Sequence, residues 1–201
     1  MTPNIHKTSH LIDNLDRMKR LGHAASVFWL TGHSGSGKST IAMLAEKELI
    51  TLGYACFVMD GDNIRHGISS DLGFSNEDRL ENIRRVAEIS KLFSKAGLIS
   101  ICAFISPLKS DRALARSIIE GDGTHFHEIH IDSSVEVCES RDVKGLYKLA
   151  REGGIENFTG ISAPYEAPEE CALRINSANY PVENCKGQLI NYIKTQCPIV
   201  T

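Results

Sequence analysis

Residues 32–39 read Gly-His-Ser-Gly-Ser-Gly-Lys-Ser and follow almost directly on the apolar run Val27-Phe28-Trp29-Leu30. The spacing G-x-x-x-x-G-K-[ST], set between a strand and a helix, commits this part of the chain to a strand–loop–helix unit shaped around a phosphate chain. Glycines at 32, 35 and 37 let successive backbone N–H groups turn inward, where side chains would block the ligand. Lys38 can reach the β- and γ-phosphates, and the Ser39 hydroxyl is placed to ligate Mg²⁺. A helix starting near Lys38 adds the positive end of its dipole. A glycine-rich turn that binds nothing is the competing reading, and it leaves the order of strand, Lys-Ser pair and helix unexplained. The expectation is therefore a nucleoside-triphosphate site.

A chain of 201 residues is long enough for one domain with a real core. Its net charge of −3 gives no general electrostatic reason to expect nucleic acid or an anionic membrane as a partner. Six cysteines, at 56, 102, 138, 171, 185 and 197, show no C-x-x-C or metal-like spacing and read as reduced thiols of a cytoplasmic protein. His125, His127 and His130 fit alternation on a strand better than a zinc site. The polar start has no apolar signal segment, and no run of 18 apolar residues occurs, so neither secretion nor a membrane span is expected.

Hydrophobic patterning gives alternating strands and helices. Residues 1–25 form a polar lead-in with a short helix around Leu11 to Leu21. Strands are expected over Val27–Thr31, Ala55–Met59, Ile99–Ile105, Phe126–Ile131 and Ala172–Ile175. Helices are expected from Lys38 to Leu52, Ser75 to Ala96, Lys109 to Ile119 and Val182 to Lys194. Gly53 and Gly97 close the first two of these, and Leu80, Ile83, Ala87 and Phe93 can face the core. This order implies a three-layer α/β fold with a mainly parallel sheet, in which ligands sit at the carboxyl ends of the strands. Residues 141–165 break the pattern: Arg141, Lys144, Lys148 and Arg151 precede Gly153-Gly154 and Phe158-Thr159-Gly160. They suit a mobile lid that closes over phosphates, or else a solvated charged helix.

The loop alone does not separate a kinase from a GTPase or a motor. No Asn-Lys-x-Asp tetrapeptide occurs, and the segment 60–82 looks built for a second substrate. It holds the carboxylates Asp60 and Asp62, the fork-shaped cations Arg65 and Arg79, Asn82 three residues beyond Arg79 on the same helix, and Phe74 as a flat face for a base. Each has a dull explanation alone; together, after the second strand, they favour a nucleotide-like acceptor.

Several runs carry a family resemblance: Leu-Thr-Gly-His-Ser-Gly-Ser-Gly-Lys-Ser-Thr, Asp-Gly-Asp-Asn-Ile-Arg-His-Gly, Asp-Leu-Gly-Phe-Ser, Asp-Arg-Leu-Glu-Asn-Ile-Arg-Arg, Phe-Ile-Ser-Pro, Arg-Asp-Val-Lys-Gly-Leu-Tyr and Phe-Thr-Gly-Ile. In this order, from about residue 26 to 168, the chain resembles adenylylsulfate kinase, a P-loop kinase. The resemblance implies transfer of the γ-phosphate of ATP, with Mg²⁺, to the 3′-hydroxyl of adenosine 5′-phosphosulfate. It assigns Gly32, His33, Ser34, Gly35, Ser36, Gly37, Lys38, Ser39 and Thr40 to ATP, although His33 stands where relatives often carry leucine. It assigns Asp62 to the acceptor hydroxyl and Asp60, with Ser39, to the metal. Asn63, Arg65, Arg79, Asn82, Ile105, Ser106 and the lid cation Lys144 become acceptor contacts, with Phe74 and Phe158 sandwiching the adenine. Ser106 is the family's proposed phosphoserine, so it joins Lys38 and Asp62 as a catalytic candidate; direct in-line transfer needs no such intermediate. A free-standing homodimeric kinase is the form implied. Two rivals stay open: a P-loop kinase with another acceptor (nucleoside, gluconate or shikimate), and an ATP-sensing module without turnover.

Overall fold

The computed structural model describes residues 6, 8 and 10–200. In chain order the elements are α1 (Asn14–Leu21), β1 (Val27–Thr31), α2 (Lys38–Thr51), β2 (Cys56–Asp60), α3 (Gly61–Arg65), α4 (Asn76–Lys95), β3 (Ile99–Ala103), α5 (Lys109–Glu120), β4 (Phe126–Asp132), α6 (Val135–Arg141), α7 (Leu146–Arg151), β5 (Leu173–Asn176) and α8 (Val182–Gln196). The strands pair in the order β2-β3-β1-β4-β5, all parallel.

Every residue of β1 is buried, because its side chains alternate between two cores. Phe28 and Leu30 pack with Ile41, Ala45 and Leu49 of α2 and Leu189 and Ile193 of α8. Val27 and Trp29 face the other way, onto Ile83, Val86 and Ala87 of α4 and Ala115 and Ile119 of α5. Helices on both faces of a parallel sheet give the expected three layers. Burying these aliphatic side chains on both faces, at roughly 1.5–3 kcal/mol each, supplies the main stabilisation.

This topology decides where ligands bind. The neighbours of β1 are β3 and β4, which come later in sequence, so the strand order reverses around β1 and opens a crevice at its carboxyl end. The glycine-rich loop after β1, the Ile105–Ser106 segment after β3 and α3 after β2 all leave the sheet at that end.

Several expectations need correction. Leu80 is 42% exposed and does not face the core, while Asn82 two residues on is buried. Strand β3 stops at Ala103, two residues before Ile105, because the chain turns there to reach the left-handed Ser106. The lead-in helix starts at Asn14, three residues later than expected; residues 1–5, which include the start of the lead-in, lie outside the described residues. Segment 141–165 contains α7, whose first turn is capped by the Asp142 carboxylate on the N–H groups of Tyr147 and Lys148 (both 3.1 Å). The expected strand alternation around His127 holds: half-buried on β4, it stacks on Phe28 (4.8 Å between centroids) and bonds the Tyr192 hydroxyl (3.1 Å).

Candidate active site

The glycine-rich loop is held in shape by side chains on the carbonyls of residues 32–36. Lys38 Nζ donates to the carbonyls of Gly32 (2.8 Å) and His33 (2.6 Å). The Tyr147 hydroxyl donates to Ser34 (2.8 Å), Arg141 Nη1 to Gly35 (3.4 Å) and Ser177 Oγ to Ser36 (2.6 Å). Bonding the carbonyls restrains the peptide planes, and with them the directions of the N–H groups. Gly32 is at φ +151°, and a Cβ there would stand 2.5 Å from the Ile131 carbonyl oxygen, so only glycine fits. Helix α2 then begins after Gly37 without a side-chain cap and without an acidic residue in its first turn, which leaves its N-terminal N–H groups to an anion. Ser39 is half-buried in that turn and Thr40 exposed.

Burial lowers the Lys38 pKa from 10.5 to about 8. Burial thus opposes the charged form, and the sign of the consequence follows. Below about pH 8 the cationic Lys38 costs the empty fold stability; as pH rises through 8 toward 10.5 the folded chain holds fewer protons than the unfolded one, so stability rises. A polyphosphate reverses this by favouring the ammonium. ATP binding should therefore take up a proton above about pH 8, and affinity should fall as pH rises through that value. Titration calorimetry in buffers of different ionisation enthalpy measures the uptake; the same heat in every buffer at about pH 8.5 would contradict it.

Across the crevice, Asp60 caps α3 by accepting the Asp62 N–H (3.1 Å), which presents Asp62 and Asn63 on an exposed turn. The Asp62 carboxylate is ion-paired with Lys144 from the segment before α7. Arg65 donates to the Gly73 carbonyl (2.7 Å) and lies over the ring of the exposed Phe74 (4.4 Å). Arg79 grips the Phe74 carbonyl (3.0 Å), the Asn157 carbonyl (2.8 Å) and Thr159 Oγ1 (3.3 Å), tying the Phe74 loop to the segment holding Phe158. Burial, and then the neighbouring Arg79 cation, lowers the Arg65 pKa; two guanidiniums this close make a natural anion site. Asn82 Oδ1 is buried without a partner and so needs a donor. Phe158 is buried against Tyr147 and Ala150.

The Ser106 segment is fixed from behind. Ser106 sits at φ +43° with its hydroxyl accepting from Trp29 Nε1 (2.9 Å). The Thr31 hydroxyl donates to the Ile105 carbonyl (2.6 Å), and Arg112 Nη1 donates to the Ser106 carbonyl (2.8 Å).

A sequence profile of the adenylylsulphate kinase family matches residues 24–176. The chain belongs to that family. An adenylyl-sulfate kinase of Bacillus licheniformis is 54% identical over 174 residues, covering 87% of each chain. One from Acaryochloris marina is 50% identical over 190 residues, covering 94% of this chain and 90% of its own. Among solved structures, the adenylylsulfate kinase of Mycobacterium tuberculosis in complex with AMPPNP and adenylylsulfate superposes with a TM-score of 0.83 at 42% identity, covering 85% of this chain and 98% of that one. A gluconokinase of Sinorhizobium meliloti, at 16% identity and TM-score 0.55, shares the fold alone.

Within this adenylylsulfate kinase fold, the lid cations divide differently from expectation. Lys144 turns to Asp62 in the crevice; Arg141 braces the phosphate loop from behind, bonding the Ser177 carbonyl as well (2.6 Å), and Arg151 pairs with Glu139 (3.0 Å). Sequence reading missed Tyr147, Ser177, Trp29, Arg112 and Glu128 as supports of the site. Tyr147 and Ser177 reach the loop from more than 100 residues away, and no local spacing could expose that.

Proposed function

We propose that this adenylylsulfate kinase family member transfers the γ-phosphoryl group of ATP to the 3′-hydroxyl of adenosine 5′-phosphosulfate, releasing ADP and 3′-phosphoadenosine 5′-phosphosulfate. One observation carries the reading beyond family membership: on α3, at the same end of the sheet as the triphosphate loop, the Asp62 carboxylate is ion-paired with Lys144 and stands one helical turn from Arg65. A carboxylate so placed lies beside both the loop for the triphosphate and a guanidinium suited to a second anionic substrate.

The roles follow from the chemistry. Residues 32–40 hold the triphosphate, and Lys38 offsets charge on the transferring group, the largest expected contribution. Asp62 orients the acceptor hydroxyl and takes its proton. Arg65 and Arg79 with Asn63, Asn82, Ile105, Ser106 and Lys144 receive the phosphosulfate and ribose, and Phe74 and Phe158 contribute the adenine walls. Ser106 serves as a contact; its hydroxyl is bonded by Trp29 and needs no covalent role in direct in-line transfer. The Ser39 hydroxyl and the Asp60 carboxylate are hard oxygen donors that fit Mg²⁺, which when bound supplies further neutralisation of the β- and γ-phosphates. A cytoplasmic setting is supported by the six free cysteines, and a two-fold dimer is the assembly expected of such an enzyme.

An ADP-release assay offering adenylylsulfate, nucleosides, gluconate and shikimate in parallel tests the reading. Turnover with adenylylsulfate alone is expected, because a polyol offers neither a ring for Phe74 nor an anion for the paired guanidiniums. Turnover with another acceptor would replace the substrate, and ATP binding without product from any acceptor would point to a sensing module.

A further inference from the structure

Tyr147 lies on α7, is 1% exposed, and belongs to neither substrate's expected contacts. Its hydroxyl donates to the Ser34 carbonyl of the triphosphate loop (2.8 Å). Its ring meets Phe158 edge to face, with centroids 5.0 Å apart and planes at 77°. Thr159, next to Phe158, accepts from Arg79, and Arg79 also holds the Phe74 carbonyl. An unbroken set of contacts thus runs from the triphosphate loop to both aromatic residues on the acceptor side. Tyr147 is the one member that touches the loop itself, and its backbone is anchored by Asp142.

Packing alone would be satisfied by phenylalanine. The hydroxyl adds a direct bond from the acceptor-side cluster to the loop backbone, in a setting too buried for water to replace it. Burial raises the Tyr147 pKa further above its ordinary value, so the group remains a donor at any working pH.

We propose that Tyr147 is a positioning residue that couples the two substrate sites, its hydroxyl fixing Phe158 relative to the triphosphate loop so that filling either site tightens the other. The inference rests on the reaction proposed above. A triphosphate that orders the Ser34 peptide also orders Tyr147 and Phe158, so the second ligand meets a wall already in place. Reciprocity requires adenylylsulfate to tighten the ATP site by the same factor.

The test is calorimetric titration of the wild-type enzyme and Tyr147→Phe with a non-hydrolysable ATP analogue and adenylylsulfate, each alone and each in the presence of the other. Wild-type enzyme is expected to show mutual tightening of at least about fivefold, at the lower end of usual couplings. In Tyr147→Phe the ATP analogue alone should bind more weakly, because the loop loses one of its braces, while the coupling factor between the two ligands collapses to within about twofold of unity. A purely structural hydroxyl would weaken single-ligand binding or lower the melting temperature and leave the coupling factor intact; that result, or a wild type without coupling, overturns the inference. Wild-type enzyme that neither binds adenylylsulfate nor forms product overturns the underlying reaction instead.

Discussion

Asp62→Asn should lower kcat by about 10²–10⁴-fold, the usual contribution of a positioned general base, with the ATP analogue still bound. Asparagine keeps the size of the side chain and one acceptor oxygen, but it loses the negative charge and the ability to take a proton. The site is not expected to collapse, because Asp62 is exposed on α3 and the turn is held by the Asp60 carboxylate rather than by Asp62. Lys144 does lose its ion partner, so Lys144→Met serves as the control: it breaks the same pair while leaving the carboxylate in place. If charge pairing were the whole role of Asp62, the two variants would lose the same activity. If Asp62 handles the proton, Asp62→Asn loses far more in kcat, and Lys144→Met shows mainly as a higher KM. Steady-state kinetics with both substrates varied separates these outcomes, and undiminished turnover in Asp62→Asn would remove this residue from the chemistry.

What the sequence makes legible here depends on how local each determinant is. The unit β1–loop–α2 is specified by adjacent residues, a fully apolar strand followed by glycines at fixed offsets, and it forms as expected. The short helices α3, α6 and α7 carry too few turns for a periodic signal. They exist because of single caps: Asp60, Ser134 and Asp142. On α4 hydropathy places Ile83, Ala87 and Phe93 correctly and misleads at Leu80. Leu80 is exposed while the polar Asn82 is buried at 4%, because the helix presents its first turns to the ligand crevice and only its later turns to the apolar core. Charge was equally mute about direction. Arg141 and Lys144 are three residues apart in a basic run, yet one braces the loop from behind and the other reaches Asp62 in front.

Arg112 shows what lies beyond any local reading, and replacing it should have the largest effect on stability. Its side chain is 3% exposed and makes a buried ion pair with Glu128 of β4 (2.6 Å), while its remaining donors hold the carbonyls of Ser106 (2.8 Å), Pro107 (3.2 Å) and Glu166 (2.7 Å). Ser106 is a non-glycine residue in the left-handed region, a conformation that persists only where the surroundings impose it. Arg112→Leu removes that restraint and leaves the buried Glu128 carboxylate with Arg116, at 3.6 Å, as its cation. Losing one partner of a buried pair costs about 3–5 kcal/mol, which for a domain of this size corresponds to a melting temperature lower by about 6–20 °C. The double variant Arg112→Leu/Glu128→Leu should recover part of that loss, since the uncompensated charge is gone, but not all of it, since three backbone carbonyls still lack their donor. The KM for adenylylsulfate should rise in both variants more than the KM for ATP, because the proposed reaction assigns the freed Ser106 segment to the acceptor and the triphosphate loop is braced by other residues. Thermal denaturation of the three proteins, with kinetics below their transitions, decides the matter. A single variant that melts within about 2 °C of wild type, less than a 1 kcal/mol change gives at this size, would mean that Arg112 is not what holds Ser106 in its strained backbone.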